Sequence, residues 1–453
     1  MKPRFGPLAG VSGADPSSLA ELQLGRLRTL CEWCEAHSPF YRDRWERAGF
    51  ASSQLRSIDD VRRIPMVTKS DFLADQAERP PFGRRLAVDE GELVRVYLSS
   101  GTSGIGQEVH ALSADEWEAC AAPLAWQAGR VGLRQGDGFA VTLPLGMQMG
   151  GPYLANAAER LGLCLYLLGA HSTEERIAYI ERFAPAALQV TPAYGARLQE
   201  AGRAAGFERW PAPMKALFLS AEAYTPRWAE AVEAYWSAPI LEYYGTTQAG
   251  MGHAVSCELG AVGPAGEPGV LHNADPYVVC EVLDRQTGAP VADGEEGEVV
   301  VTSLFKYASP VVRFRTDDKA VRRSGASCPC DVTWDGLGAG QISRYDDMMK
   351  IKGQNVWPSA FHNVIDGLLP GAEYRGRVLM DDAGRERVQL QVEAADVSVL
   401  PQLAAAIRAA TNVTVEVEPV PPDSLERFEF KSRRWQDTRK ADRDVIAYRE
   451  TRR

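Results

Sequence analysis

Residues 97–104 of this 453-residue chain read Tyr-Leu-Ser-Ser-Gly-Thr-Ser-Gly. A run of this type can hold an anion. Small residues let backbone N–H groups approach closely, and the hydroxyls of Ser99, Ser100, Thr102 and Ser103, beside Gly101 and Gly104, add donors. Phosphate is the natural guest, although no Gly-Lys-Ser/Thr follows and the run is not a Walker A loop. Taken alone, a Ser/Gly/Thr run is equally an ordinary loop. The tail carries a second element of interest, a basic run with Arg427, Lys431, Arg433 and Arg434. Its ammonium suits a phosphoryl group, and with no such partner it is a solvated basic end.

Both elements need a scaffold. From about 93 to 245, short apolar or β-branched runs (93–98, 139–143, 163–168, 187–191, 215–220, 239–244) alternate with helical stretches (114–128, 150–161, 173–183). That alternation predicts a parallel sheet with helical crossovers. Between 276 and 320 the period falls to two, with turn signals at Thr287-Gly288 and Asp293-Gly294, so antiparallel strands in a small barrel-like part are expected. A last segment reads strand (377–380), turn (382–384), strand (388–393), helix (400–411), strand (413–417) and basic tail. Leu400, Leu403, Ile407 and Ala410 give that helix one apolar face. The fold class is therefore α/β. A large N-terminal domain (1–343) holds mixed and parallel sheets, and a small α+β domain (344–453) follows.

The first 90 residues read as helices and loops. Leu24, Leu27, Cys31 and Cys34 recur at helical spacing, and Pro39 ends the run. Cys31 and Cys34 form a C-x-x-C, but both lie on the apolar stripe, which makes them core thiols.

Hydrophobic residues at 45% and charged residues at 24% exclude a mainly disordered chain. A net charge of -10 gives no footprint for nucleic acid or anionic membrane. No apolar run is long enough to span a bilayer, and the first residues lack a signal-peptide core, so a cytoplasmic enzyme is expected. Oligomeric state stays open, a homodimer among the options.

Five motifs in order carry a family resemblance: Ser-Ser-Gly-Thr-Ser-Gly (99–104), Tyr-Tyr-Gly-Thr-Thr-Gln (243–248), Arg-Phe-Arg-Thr-Asp-Asp (313–318), Arg-Tyr-Asp-Asp-Met-Met-Lys-Ile-Lys-Gly (344–353) and Phe-Lys-Ser-Arg-Arg (430–434). The chain resembles the adenylate-forming ligase superfamily, which includes acyl-CoA synthetases, and within it the phenylacetate–CoA ligase branch. The resemblance implies ATP, Mg2+ and coenzyme A as cofactors and a small aromatic carboxylic acid as substrate. It implies that residues 99–104 hold the β- and γ-phosphates, and that Tyr244 stacks on adenine beside Glu222, Gly245 and Thr246. Thr247 would contact the α-phosphate, Asp318 and Arg344 the ribose, and Gln248 would stand near Mg2+. Lys431 would be the catalytic lysine. Asp346 would be the hinge of a mobile C-terminal domain that presents the Gly353 region to the thiol.

The same resemblance places the acid pocket around Leu145, Gly146, Met147, Gln148, Gly150 and Gly151. It also implies a structural Zn2+ at Cys257, His272, Cys328 and Cys330, a closed tetrahedral set. Cys280 reads as core. Two positions depart from the pattern. Gln248 stands where the motif usually has Glu, and an amide contributes no charge to a cation. Asp317 stands where Gly is expected, adding a carboxylate and a constraint on the loop. These departures keep open a nucleotide-binding protein with impaired catalysis, and a separate alternative is an adenylating enzyme of secondary metabolism with an amine, carrier protein or other nucleophile as acceptor.

Overall fold

Strands β1 (Leu93–Leu98) and β2 (Val109–Ser113) pair antiparallel as a separate two-stranded sheet. The expectation that 93–98 opens the parallel run is thereby corrected. The chain returns too soon for a helical crossover, which needs about a dozen residues or more. The expected helix at 114–128 is two helices, Ala114–Cys120 and Ala122–Arg130. Pro123 sits in the first turn of the second, the helical position that needs no N–H partner.

The parallel sheet follows. Its strands β3 (Gly138–Val141), β4 (Cys164–Leu167), β5 (Ala187–Val190), β6 (Ala216–Leu219) and β7 (Ile240–Thr246) lie in the order β4-β3-β5-β6-β7. All residues of β5 and β6 are buried, as central parallel strands require. Helices Gly150–Arg160, Thr173–Phe183, Pro192–Ala204 and Pro226–Trp236 make the crossovers. The last two start alike: Thr191 and Thr225 cap the first turn by accepting from Tyr194 and Trp228 N–H, and proline follows each.

Seven further strands continue the same sheet: β8 (Met251–Ser256), β9 (Val270–Asn273), β10 (Val278–Leu283), β11 (Glu296–Ser303), β12 (Phe314–Arg323), β13 (Gly336–Gly338) and β14 (Ser343–Arg344). They pair antiparallel in the order β7-β8-β9-β13-β12-β11-β10, with β14 on β12. The expected barrel-like part is thus joined edge to edge with the parallel strands in one twelve-stranded sheet. β7 is the strand where pairing changes from parallel to antiparallel.

The remainder builds a second layered unit. A hairpin of β15 (Met349–Ile351) and β16 (Gln354–Val356) precedes helix Pro358–Leu368. β17 (Tyr374–Met380), β18 (Glu386–Glu393), β19 (Glu416–Val420) and β20 (Trp435–Asp437) then form a sheet ordered β19-β18-β17-β20, with helix Leu400–Thr411. The strand expected at 413–417 starts at 416, because Asn412 ends the helix in the left-handed conformation and the chain needs a few residues to turn. One apolar core gathers residues from Leu8 to Ala339, and another gathers residues from Met349 to Val415. Cys31 and Cys34 are fully buried in the first.

The computed structural model describes residues 5, 8–99, 106–263, 266–345, 347–352, 354–381, 385–427 and 434–439. Among them no helix is long and apolar enough to cross a membrane.

Candidate active site

In open α/β sheets, ligands bind outside the carboxyl ends of the strands. Tyr244, Gly245 and Thr246 occupy that end of β7. Tyr244 donates its hydroxyl to Asp318 Oδ2 at 2.6 Å. Asp318 is the register partner of Arg344, whose Nη1 lies 3.7 Å from Asp318 Oδ1. Residues from three separate motifs therefore meet at one buried carboxylate. Burial and the Asp318 charge push the Tyr244 phenol well above its ordinary value, so it stays a donor.

Asp317 takes φ +60, the left-handed region that glycine enters freely and Asp tolerates better than most residues. Its Oδ1 accepts from Arg285 Nη2 at 2.8 Å at the surface. The glycine-like backbone is kept, and the added charge is spent on Arg285.

Thr247 and Gln248 lie in the turn between β7 and β8, where Gly250 N–H donates to the Thr247 carbonyl. Gln248 Nε2 donates to Glu108 Oε2 at 2.5 Å, and Lys306 Nζ donates to the Gln248 carbonyl at 2.7 Å. Glu108 belongs to the stem of the Ser/Gly/Thr run. Ser99 N–H donates to the Glu108 carbonyl at 3.0 Å, and Glu108 N–H donates to Ser99 Oγ at 2.9 Å. Ser100, Gly101, Thr102, Ser103, Gly104, Asp346, Gly353 and Lys431 lie outside the described residues.

Glu108, His110 and Lys306 escaped the sequence reading, and all three are fully or almost fully buried. Burial opposes the Glu108 carboxylate, and His110, Arg85 and Lys69 outweigh it, holding its pKa below the ordinary value. Burial, with Arg85, drives His110 down to about 3 and Lys306 down to about 7. His253, packed edge-on at 4.9 Å against Tyr244, was missed too, and burial lowers it to about 3.

A cavity of about 250 Å³ opens beside the Ser99 stem, lined by Leu98, Gln107, Pro144, Gly146, Met147 and Gln148. Leu98 N–H donates to the Met147 carbonyl at 2.8 Å, which fixes one wall to the other. Leu145 is exposed, and Gly150 and Gly151 begin the next helix, outside this lining. Gly151 must be glycine, since a Cβ there would stand 2.3 Å from the Pro144 carbonyl oxygen. Glu222, on the loop after β6, accepts from Ala193 N–H at 2.9 Å.

Away from this site, Cys257, His272, Cys328 and Cys330 place their ligand atoms within 4.8 Å of one another. Cys257 Sγ lies 3.8 Å from Cys328 Sγ, and Cys330 Sγ lies 3.4 Å from His272 Nε2. A tetrahedral Zn–S bond of about 2.3 Å implies an S···S edge of about 3.8 Å, so the donor set fits zinc. His272 Nδ1 faces the Trp334 carbonyl at 2.9 Å, leaving Nε2 for the thiols. Cys280 packs on the core elsewhere, as expected.

The two units touch through polar contacts. Arg427 bonds Glu393 at 2.8 and 2.9 Å on its own side and Glu200 at 3.1 Å across the seam. Thr225 Oγ1 donates to Asp366 Oδ2 at 2.7 Å.

Residues 25–305 match the family described as AMP-binding enzyme, and residues 353–439 match the AMP-binding enzyme C-terminal domain. The phenylacetate-coenzyme A ligase of Thermus thermophilus is 29% identical over 445 residues, covering 93% of this chain and 97% of that one. That of Escherichia coli is 28% identical over 361 residues, covering 78% of each. Among solved structures, 2-hydroxyisobutyryl-CoA ligase in the postadenylation state with R3-HIB-AMP is 26% identical, with a TM-score of 0.85 over 97% of this chain and 94% of that one. The same ligase in its thioesterification state, with 2-HIB-AMP and CoA, gives 0.70 over 99% and 97%. The whole chain thus superposes better on the former arrangement.

Proposed function

Because the chain belongs to the AMP-binding enzyme family, on the phenylacetate–CoA ligase-like branch of the adenylate-forming enzymes, we propose that it activates a small aromatic carboxylic acid with ATP and passes the acyl group to coenzyme A. A carboxylate oxygen attacks the α-phosphorus, pyrophosphate leaves, and acyl-AMP remains. The thiol then loses its proton and attacks the acyl carbon, and AMP leaves.

Two anions must meet in the first step, so the protein's work is positioning and charge neutralisation. The observation that carries the reading is the meeting of Tyr244 and Arg344 at the Asp318 carboxylate. Asp318 would accept from both ribose hydroxyls, with Arg344 beside it and the Tyr244 ring under adenine near Glu222, Gly245 and Thr246. Residues 99–104 would cradle the outer phosphates, and Thr247 would reach the α-phosphate. Mg2+, when bound with ATP, lowers the charge that the incoming carboxylate must approach.

The cavity beside Met147 and Gln148 would take the acid. Its apolar wall suits a flat ring, and the Gln148 amide suits a hydroxyl or amine substituent. Lys431 would bridge the attacking carboxylate and the phosphoryl oxygens. We place the boundary between the units at 343/344 and the hinge at Asp346, with the Gly353 region facing the thiol after the swing. Zinc at the three thiolates and His272 would be structural, since all four positions are filled by protein. Metal analysis of protein purified without chelator should find about one zinc per chain. Well under one equivalent removes that assignment.

The reading is tested by pyrophosphate release with a panel of aryl acids, with and without coenzyme A. Acid-dependent release with formation of the CoA thioester is expected. Release trapped by hydroxylamine without CoA turnover would move the acceptor to an amine or carrier thiol. ATP binding without release would mark an impaired homologue.

A further inference from the structure

A guanidinium offers five N–H donors, and the small unit already occupies four of those of Arg427. Nη1 donates to Glu393 Oε1 at 2.8 Å and to the Leu425 carbonyl at 3.2 Å, and Nη2 donates to Glu393 Oε2 at 2.9 Å and to Asp423 Oδ1 at 3.3 Å. The fifth, Nε, crosses the seam to both oxygens of Glu200, at 3.1 and 3.3 Å. On the same helix (Pro192–Ala204), Arg197 Nη1 donates to the Arg427 carbonyl at 3.3 Å. Arg197 and Glu200 stand three residues apart and so share one helix face. That face holds the side chain and the backbone of a single residue of the other unit.

Electrostatics makes the hold releasable. Glu393 and Asp423 already balance the Arg427 charge, so Glu200 brings a third carboxylate to one cation. Burial pushes the Glu200 pKa up, Arg427 offsets that only in part, and Asp423 and Glu393 add to the rise. Position gives the hold a use. Lys431 follows Arg427 by four residues, and the chain superposes better on the postadenylation arrangement of 2-hydroxyisobutyryl-CoA ligase than on its thioesterification arrangement. We propose that Glu200 and Arg197 are positioning residues, which clamp Arg427 in the arrangement that forms acyl-AMP, set the tail that carries Lys431, and release it for thioester formation. This rests on the ATP-activating reading above.

Weakening a contact made in one arrangement alone changes the ratio of the two populations by the full factor lost, whichever arrangement predominates. The quantity to measure is therefore the rate of acyl-AMP formation divided by the rate of thioester formation from preformed acyl-AMP. Both are read by single-turnover quench on the full chain, with the aryl acid that gives the fastest pyrophosphate release in the panel above. Glu200→Ala should lower the ratio about fivefold, and Glu200→Gln, which keeps an acceptor oxygen, about twofold. On an Arg427→Ala background, Glu200→Ala should move the ratio by less than about 1.5-fold. A merely structural loss lowers both rates together and leaves the ratio where it was.

An unchanged or raised ratio in Glu200→Ala, or a fall that persists in full without the Arg427 guanidinium, overturns the clamp and leaves the ATP-activating reading standing. Wild-type protein that releases no pyrophosphate with any aryl acid overturns both. Should Arg427→Ala fail to fold, because it leaves Glu393 without its cation, Glu200→Ala decides alone.

Discussion

Asp318 and Glu108 are both buried carboxylates of the candidate site, and they are furnished differently. Asp318 has Tyr244 on one oxygen and Arg344 facing the other. Two residues before Tyr244, Glu242 takes both the Tyr224 hydroxyl and the Gly340 N–H on its Oε2. Glu108 has one oxygen bonded and one bare. A satisfied network is rigid before a ligand arrives, whereas a partly satisfied one is finished by the ligand. The Asp318 end is therefore preformed, and the Glu108 end is the less satisfied one.

The largest expected effect comes from the tail, to which the proposed reading assigns a cation at the phosphoryl oxygens. Lys431→Ala should slow acyl-AMP formation by about a thousandfold while thioester formation from preformed acyl-AMP stays within about threefold. Equal loss in both half-reactions, read by single-turnover quench, would contradict the role. At the preformed end, Asp318→Ala removes a charged acceptor for two hydroxyls. A rise of about a hundredfold in the KM for ATP follows from about 1.5 kcal/mol per hydrogen bond. A change under about threefold would separate this carboxylate from the ribose.

Beneath the same end, burial raises Glu242 to about 7. The folded protein then keeps a proton that the unfolded chain releases near the ordinary value of 4.5. The stability from this group is full below about pH 4.5, falls as pH rises, and is gone above about pH 7. Glu242→Gln should gain on wild type by on the order of 2 kcal/mol between about pH 5 and about pH 8, measured as melting temperature against pH. A constant difference across that range would show that the carboxyl is not neutral in the fold. The smallest effect is Asp317→Gly. Relief of the left-handed strain is offset by glycine's greater freedom when unfolded, so stability should move by less than about 1 kcal/mol and the KM for ATP by less than about twofold. A larger rise in activity would mean that the Asp317 carboxylate reaches the nucleotide after all.

The preformed end was the legible one. Tyr244, Asp318 and Arg344 sit in motifs that carry the family resemblance, and the alternation after 139 and the period of two after 276 gave β7 and β12, which carry the first two. Periodicity reports strands and not their partners, which is why 93–98 was assigned to the parallel sheet although β1 pairs with β2. The Glu108 end left a fainter trace. Glu108 and His110 alternate with Val109 ahead of the apolar Ala111 and Leu112, which puts two polar groups on one face of a largely buried stretch. Their meeting with Gln248, Lys306 and Arg85 depends on turns and loops far apart in sequence, and no local pattern encodes it. The zinc-type cluster was readable for the opposite reason, since thiols in a loop have few other uses.

β14 is two residues long, and one of its two rungs joins Arg344 to Asp318. The next residue, Tyr345, ties its N–H to the Asp317 carbonyl at 2.7 Å. On the proposed roles, the residues that would hold the sugar and those that open the pivot share adjacent backbone rungs. A seated nucleoside would then stiffen the pivot directly, gearing rotation of the smaller unit to occupancy.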